Sequence, residues 1–369
     1  GRRMMRQILR QDLIDLMMTP GLSGHEERVA KLIRNRLSDA GILSRVDRMG
    51  NVIASFEGDT ASPSVMIFTH MDQLGFFVRR IDADGLIRVE RMGGVSERAM
   101  AAQAVTLCVG EGRDVPGIIM NKAHHATGAE EKYKVLTAPD IRIDTGHGSK
   151  QAVEAAGVRI GTPVVYQPRV IELAGDRIAG TSVDDRAGCA SLLEIARGLA
   201  TRDGTGPTVH VVFSVQEEFN LRGALVAAQA LKPDIAIQID LMLATDTPDM
   251  EDRGEMELGG GPGISLYSFH GRGTLNGVIP HPVMVELFEK TAESLEMPLQ
   301  RSAQVGVLTD LSYVQLVGEG VASIDIGFPM RHSHSTVECC DLSDLEAMTR
   351  LALAAIGRIG PDFRLTRET

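Results

Sequence analysis

The sequence predicts an α/β protein with a mostly parallel central sheet, flanked by helices and interrupted by a small inserted β-barrel or β-sandwich. Beyond residue 176, strand-like apolar runs alternate with segments of helical periodicity, which is typical of parallel sheets. Residues 211–215 form an apolar run that ends at two carboxylates, as expected for a strand buried in mid-sheet. Between about residues 75 and 168, short alternating strands follow closely and helical periodicity is scarce, which indicates the insert.

The segment before the insert contains two predicted helices and two predicted strands. Residues 4–18 are amphipathic and helical, and a second helix follows the turn at residues 20–26 and stops at Gly41. Ser23 and Glu26 have the spacing of a capping box for this second helix. The strands are predicted at residues 51–56 and 65–69.

Inside the insert we predict strands at residues 76–81, 86–90, 105–109 and 115–120, a helix at 149–156 and an exposed polar loop at 122–134. After it, the predicted helices cover residues 186–199, 221–231, 282–295 and 342–359, and the predicted strands cover 209–215, 235–239 and 322–326. The chain therefore divides into an α/β domain, residues 1–74 with 169–369, and a β-rich domain, residues 75–168.

Composition excludes several classes of partner. The 369 residues carry a formal net charge of −11 and a pI near 5.4, without the basic face that nucleic acids or anionic membranes require. No apolar run approaches the roughly 20 residues that span a bilayer, and the charges within residues 4–18 do not suit a signal peptide. The four cysteines lack a Cys-x-x-Cys spacing, so we expect a reducing, cytoplasmic location.

Metal-ligating residue types recur at predicted strand ends and in the loops beside them: His70, Asp184, Glu218, Asp240 and His334. Two imidazoles and three carboxylates suit Zn²⁺ or Co²⁺, with Mn²⁺ as a further candidate, better than Ca²⁺, which prefers oxygen ligands alone. Five ligands with one bridging carboxylate make two sites of three ligands each, with a shared open position for water. The pattern therefore predicts a dinuclear centre at the carboxyl edge of the sheet.

Glu217 and Glu218 follow the strand predicted at residues 209–215 after one intervening residue, Gln216. Consecutive strand residues point to opposite faces, so we expect one Glu to hold metal and the other to move a proton. Adjacent carboxylates are also common at the solvated start of a loop, and the five ligand types argue against that alternative. The glycine-rich residues 259–263 lack the register of a phosphate-binding loop and are interpreted as a loop near the crevice.

The sequence resembles the glutamyl-aminopeptidase and tetrahedral (TET) aminopeptidase family of dinuclear metallopeptidases. The motifs that carry the resemblance span nearly the whole chain: residues 69–76 (THMDQLGF), 182–188 (SVDDRAG), 215–218 (VQEE), 221–224 (LRGA), 239–240 (ID), 246–248 (DTP) and 334–338 (HSTVE). The resemblance implies a fold of the zinc-exopeptidase type. It also implies these roles: His70 and Asp240 hold one metal, Glu218 and His334 the other, Asp184 bridges them, Glu217 is the general base and Asp72 orients His70.

Three positions depart from the family pattern. Gln73 stands where many relatives have Glu, residues 308–311 are less rich in small side chains, and Gly260 falls where Lys is common. None of these removes a ligand or the base, but all leave the preferred N-terminal residue open. His332 competes with His334 for the metal role, which the following Ser-x-Val-Glu assigns to His334, and the insert residues His124 and His125 lack a further ligand type nearby.

These observations favour a cytoplasmic metalloaminopeptidase that releases N-terminal residues from peptides. The resemblance further implies that the insert mediates dimerisation and that dimers assemble into a hollow dodecamer. A glycoside hydrolase is the first alternative, although its two carboxyls must flank the bond at roughly 5–9.5 Å, which adjacent residues suit badly. A catalytically silent assembly protein is the second, and the intact set of ligands with Glu217 counts against it.

Overall fold

A computed structural model describes residues 2–271, 273–274 and 276–368. Its helices are α1 Arg2–Met17, α2 Glu27–Asp39, α3 Lys150–Ala155, α4 Val183–Ala200, α5 Gly223–Leu231, α6 Pro282–Ser294, α7 Leu311–Val314 and α8 Leu342–Gly357. Its strands are β1 Arg45–Val46, β2 Val52–Phe56, β3 Val65–His70, β4 Gly75–Ile81, β5 Ile87–Met92, β6 Ala104–Leu107, β7 Val115–Ile119, β8 Ile143–Asp144, β9 Pro163–Tyr166, β10 Val170–Glu172, β11 Arg177–Gly180, β12 Val209–Ser214, β13 Ile235–Leu243, β14 Gly263–Phe269, β15 Gly277–Val278, β16 Gln300–Val305, β17 Ala322–Met330 and β18 Glu338–Asp341.

The central sheet is mainly parallel, which confirms the predicted fold class. Among the described strands its order is β1-β2-β12-β3-β13-β17-β14-β15, with β16 paired to β14. The four middle strands β12, β3, β13 and β17 are all parallel to their neighbours in this group. Every residue of β3 and β17 is buried, as expected for strands that are covered on both faces.

Helices cover both faces of this sheet. On one face, α4, α6 and α8 pack against the strands, α1 and α2 pack on these helices, and the shared apolar core includes alternate strand residues such as Ile67 and Ile237. On the other face, α5 and α7 cover the intervening residues, among them Phe68 and Val212. Each fully buried Leu, Ile or Phe contributes about 1.5–3 kcal/mol, so these two apolar layers fix the sheet between the helices.

The strands between β3 and β10 form a closed antiparallel barrel in the order β4-β5-β8-β7-β6-β9. The barrel has its own apolar core, which includes Phe76, Val89, Val105 and Ile143. Closure leaves no free strand edge, which explains how such short strands remain stable together. The prediction of a barrel or sandwich in this part of the chain thus resolves to a barrel.

The predicted capping box at Ser23 and Glu26 is wrong. Glu26 is the N-cap of α2 but makes no side-chain capping bond. Its carboxylate accepts a hydrogen bond from the backbone N–H of Gln216, and the Ser23 hydroxyl donates to Asp72. Both side chains are buried against the sheet edge, where hydrogen bonds to the buried Asp72 carboxylate and to the half-buried Gln216 N–H are more favourable than bonds at the helix terminus.

Several strands lie outside the predicted ranges. β13 and β17 extend past their predicted ends, to Leu243 and Met330, and β14 and β16 lie where no strand was predicted. β16 is polar and half exposed, so it lacks the apolar alternation that identifies a strand. No helix in the described part of the chain has the length and hydropathy to cross a membrane.

Candidate metal centre

The predicted ligands lie together at the carboxyl edge of the sheet. His70 is the last residue of β3, and Asp240 lies on the adjacent parallel strand β13. Asp184 follows β11 and has non-helical backbone angles, φ −81° and ψ 105°, so its side chain leaves a loop that precedes the regular part of α4. His334 lies in the loop between β17 and β18.

Asp184 joins two sets of potential ligands. Its Oδ1 is 3.1 Å from His70 Nε2, and its Oδ2 is 3.2 Å from His334 Nε2. Asp240 Oδ2 is 3.7 Å from His70 Nε2, and Glu218 Oε1 is 3.7 Å from His334 Nε2. Within His70–Asp184–Asp240, and again within Asp184–Glu218–His334, the potential ligand atoms all lie within 4.8 Å of one another.

Glu217 and Glu218 lie in a turn and not on a strand, so the expected division by strand alternation is wrong. β12 ends at Ser214, and Gln216 has a left-handed backbone with φ +56°. As a result both carboxylates face the same cluster: Glu217 Oε2 is 3.4 Å from His70 Nε2, and Glu217, Glu218 and His70 form a third set of neighbouring ligand atoms. Glu218 also belongs to the set with Asp184 and His334, whereas Glu217 belongs only to the set around His70.

Asp72 connects the histidine and the two-glutamate turn. Its Oδ1 is 3.2 Å from His70 Nδ1, whose ring also lies 3.0 Å from the Asp72 carbonyl. The carboxylate also accepts hydrogen bonds from the backbone N–H groups of Glu217 and Glu218, both at 3.0 Å, and from the Ser23 hydroxyl at 2.5 Å. Burial acts to raise the pKa of Asp72, but these partners outweigh it and hold the pKa below its ordinary value.

The donor set fits two divalent cations. Four carboxylates and two imidazoles meet here; His70, Asp184, Glu217 and Asp240 are buried, and Glu218 and His334 are half-buried. Burial raises the pKa of Glu217 and of Asp240 well above their ordinary values, and repulsion from Glu218 and Asp184 respectively adds to it. Divalent ions would relieve this repulsion, and carboxylate with neutral imidazole is the ligand chemistry of Zn²⁺ and Co²⁺.

The site opens into a cleft of about 540 Å³. Beyond the metal-facing side chains, its lining includes Leu221 of the 221–224 motif and residues that no sequence motif identified: Gly94, Asn220, Leu241, Leu243, His270, Val307 and Tyr313. Gly94 follows the barrel strand β5, and its carbonyl lies 2.7 Å from His334 Nδ1, so the barrel segment helps to orient this ring. No local pattern could have revealed this contact, because 240 positions separate the two residues.

The departures from the family pattern lie in different places. Leu308 and Thr309 line the cleft, as expected for neighbours of a substrate. Gln73 does not line it: its side chain accepts from Gly21 N–H at 2.7 Å and donates to Ser182 at 2.6 Å. Gly260 also lies outside the lining, so only the 308–311 segment is placed to affect substrate choice.

The other histidines considered from the sequence lie away from the cluster. His332 is exposed, whereas the backbone N–H of His334 is held by Glu338. His124 and His125 are exposed on a 3₁₀ turn beyond β7. Among the described residues, none of these three histidines belongs to a group that could hold a metal.

Comparison with known proteins identifies the family. A family model described as M42 glutamyl aminopeptidase matches residues 50–351. The chain belongs to the M42 glutamyl aminopeptidase family. Membership makes it an aminopeptidase, a hydrolase of peptide bonds, and agrees with the resemblance carried by the motifs.

Relatives of this M42 chain match it over nearly its full length. The putative aminopeptidase SgcX of Escherichia coli is 36% identical over 368 residues, with 98% of each chain covered. The solved aminopeptidase APDkam598 of Desulfurococcus kamchatkensis superposes with a TM-score of 0.89 at 33% identity, covering 97% of both chains. The TET1 peptidase of Pyrococcus horikoshii, described as assembling into a tetrahedron or a large octahedral shell, has a TM-score of 0.85 at 26% identity, covering 95% and 100%.

One solved structure with the same fold carries a different name. A Thermotoga maritima protein described as an endoglucanase has a TM-score of 0.71 at 28% identity, covering 93% of this chain and 96% of that one. Its name corresponds to the glycosidase alternative, so the geometry of the carboxylates has to discriminate between the two activities.

Proposed function

We propose that this M42 aminopeptidase is dinuclear and releases N-terminal residues from peptides. His70, Asp184 and Asp240 would hold one divalent ion, and Asp184, Glu218 and His334 the other, as Zn²⁺ or Co²⁺ with Mn²⁺ as a further candidate. The proposal is carried by the two oxygens of Asp184, which face the two imidazoles at 3.1 and 3.2 Å. When bound, two such ions lower the pKa of a water molecule and polarise the scissile carbonyl.

Glu217 serves as general base in this proposal. Its carboxylate lines the cleft beside His70 and takes the proton of the attacking water on Oε2. The same carboxyl then returns the proton to the leaving amine nitrogen, a contribution of typically 10²–10⁴-fold in rate. Asp72 acts through its neighbours, because it accepts from the His70 ring and fixes the backbone of the turn that carries Glu217.

A matched pair of substitutions tests this division of roles. We expect Glu217→Gln to keep both ions and lose turnover, whereas Glu218→Gln loses metal. Metal content by mass spectrometry and hydrolysis of an aminoacyl-anilide panel with Zn²⁺, Co²⁺ and Mn²⁺ give the two readouts. Full activity in Glu217→Gln would remove that residue from its role.

Glycoside hydrolysis is the weaker candidate for the same site. The closest carboxylate oxygens of Glu217 and Glu218 lie within 4.8 Å and share His70 as a neighbour, whereas glycosidase carboxyls stand roughly 5–9.5 Å apart. The imidazoles would also have no purpose in that chemistry. Release of reducing sugar that survives exhaustive chelation would favour this alternative, and metal-loaded protein that leaves the whole anilide panel uncut would favour a silent assembly protein.

We further propose that residues 75–168 form a dimerisation domain on the α/β domain of residues 1–74 and 169–369, and that dimers assemble into a dodecamer. Exposed apolar side chains on this segment support an interface: Ile118, Tyr133 and Ile160 are 57%, 82% and 76% exposed. Light scattering at micromolar concentration tests it, since a monomer would refute the assembly. The four unpaired cysteine thiols support a reducing, cytoplasmic location.

A further inference from the structure

A small chamber with several polar side chains in its lining adjoins the cleft. Its volume is about 30 Å³, and Leu241, Leu243, Val307 and Thr309 line both the chamber and the cleft. A group that enters the chamber from the metal site would therefore pass between apolar side chains. The volume holds little more than one group the size of a water molecule.

Two carboxylates line this chamber: Asp240, which also lines the cleft as a proposed metal ligand, and Asp325, which lines the chamber alone. In the paired strands β13 and β17, Gln238 lies opposite Asp325 and Asp240 opposite Gly327. Because side chains alternate, Asp325 and the proposed ligand Asp240 lie on the same face as diagonal neighbours, with Cα atoms roughly 8 Å apart at the usual strand spacing and rise.

The chamber contains polar atoms that lack partners. Asp325 is 4% exposed, and one of its oxygens accepts from the Thr309 hydroxyl at 2.8 Å. Its other oxygen makes no hydrogen bond with the described residues. The Ser268 hydroxyl also lines the chamber, is buried, and has no partner in the part of the chain that the structure describes. A buried acceptor without a hydrogen bond costs free energy, and a cationic donor that binds it removes this cost.

We propose that this chamber selects lysine as the N-terminal residue of the substrate, with its ammonium bound by Asp325 and its methylenes against Leu241, Leu243 and Val307. The inference rests on the proposed peptidase function of the adjoining cleft. The ammonium matches the chamber volume, whereas the larger guanidinium of arginine does not. An acidic N-terminal side chain would meet Asp325 without a described Lys or Arg in the lining to offset it.

The first test compares lysyl, arginyl, leucyl and glutamyl p-nitroanilides on the metal-loaded enzyme. We expect kcat/KM for the lysyl substrate to exceed that for the glutamyl substrate by at least about tenfold, as for other sites that pair a buried charge. In Asp325→Asn the lysyl-to-leucyl ratio should fall by about tenfold or more. Asp344→Asn is the control, because Asp344 is also a buried acid but lines neither cavity, and it should leave the ratio unchanged. A wild-type preference for glutamyl, or an unchanged ratio in Asp325→Asn, overturns the proposal.

A binding measurement separates this inference from the proposed function. L-norleucine has the lysine side chain without its nitrogen, so calorimetry with L-lysine and L-norleucine on the metal-loaded protein needs no turnover. We expect lysine to bind at least about tenfold more tightly, with the difference lost in Asp325→Asn. Equal binding of the two amino acids by the wild type overturns the lysine proposal, even if Asp325→Asn does not fold. A wild-type protein that binds lysine more tightly than norleucine but cleaves no peptide overturns only the peptidase function.

Ser23 and Glu26, in the turn before α2, hold the two-glutamate turn of Glu217 and Glu218 through hydrogen bonds. Glu26 is 5% exposed, and its Oε2 accepts from the backbone N–H of Gln216 at 2.9 Å. Gln216 has the left-handed backbone that turns Glu217 toward the cluster, a conformation that costs a non-glycine residue about 1–3 kcal/mol and therefore needs support. Ser23 supports the same turn from the other side through its bond to Asp72.

The geometry points to Glu26 as a positioning residue for the catalytic turn. It touches no proposed ligand and lies outside the cleft lining; its hydrogen bond to the turn is the one to Gln216, and its carboxylate also lies near that of Asp72. Small displacements of a catalytic group cost rate more than substrate affinity. Glu26 should therefore influence kcat and leave KM and metal content unchanged.

Glu26→Ala and Glu26→Gln test this role, with Glu27→Ala as the control because Glu27 is exposed on the same turn of helix. We expect Glu26→Ala to lower kcat by about 10–100-fold with KM within about twofold. Glu26→Gln keeps an oxygen acceptor and should recover to within about threefold of wild type. A Glu26→Gln variant that is folded, metal-loaded and inactive overturns the inference, as does a Glu26→Ala variant in which KM changes and kcat does not.

Discussion

Replacement of Arg186 by Met should remove much of the stability of the sheet edge that carries the site. Arg186 follows the Asp184–Asp185 pair and is fully buried. Its guanidinium donates to the backbone carbonyls of Leu16, Thr19 and Met71 and to the side chain of Gln73. These bonds join α1, the end of β3 and the start of α4 in one place. Burial lowers the pKa of Arg186 to about 10, so the group is still charged at neutral pH.

The magnitude follows from the groups that would lose their donor. The Leu16 carbonyl still accepts a hydrogen bond from the N–H of Thr19 at 3.2 Å. The carbonyls of Thr19 and Met71 have no other donor among the described residues, so these two would be left unpaired. Each orphaned acceptor costs about 1–3 kcal/mol, or about 2–6 kcal/mol for the pair. Removing the buried charge returns part of this, because its own desolvation is no longer required. We expect a net loss of about 3 kcal/mol in the free energy of unfolding.

Urea unfolding followed by circular dichroism, on metal-free protein at equal concentrations, measures this loss without the contribution of bound ions. Arg301→Met is the control, because Arg301 pairs with Glu289 in a surface ion pair that contributes less than about 1 kcal/mol. If Arg186→Met lies within about 1 kcal/mol of the wild type, the reasoning from orphaned carbonyls is refuted.

Three further predictions concern the site and its surroundings. Asp72→Asn weakens the acceptor for the backbone of Glu217 and for the His70 ring, so activity or metal affinity should fall by about 10–100-fold; titration with Zn²⁺ and kinetics at saturating metal separate the two effects. Chelation should lower the unfolding midpoint as well as activity, since it leaves the carboxylate cluster without its counter-ions, and an unchanged midpoint would contradict the fit of the donor set. Burial raises the pKa of Asp325 to about 7, whereas the same carboxyl in the unfolded chain releases its proton near pH 4. Between these values the folded form binds one more proton than the unfolded form, so the contribution of Asp325 to stability is present at pH 4 and lost by pH 8. Asp325→Asn should therefore gain stability relative to the wild type at pH 8 but not at pH 4, as measured by urea unfolding at both values.

Ser23 and Glu26 match a local helix-capping motif but bind partners far away in the chain. Ser23 and Glu26 have the right types and spacing for a helix cap, and the helix does begin there. Their actual partners, Asp72 and Gln216, lie 49 and 190 positions away. A buried hydrogen bond is worth more than one at a solvated helix end, so the long-range contacts prevailed over the local motif.

The Glu217–Glu218 pair also combines features that the sequence determines with features that only the fold determines. Sequence alone determined that Glu217 and Glu218 follow a buried strand at the carboxyl edge of a parallel sheet, together with His70 and Asp240, because apolar periodicity reports burial along one segment. Only the tertiary structure decided that β12 stops at Ser214, that Gln216 turns both carboxylates toward one cluster, and that Asp184 places one oxygen against each imidazole. These features depend on contacts between segments far apart in the chain, and so do the chamber at Asp325 and the support from Glu26. The path of the whole backbone sets such contacts, and no local pattern of residues encodes them.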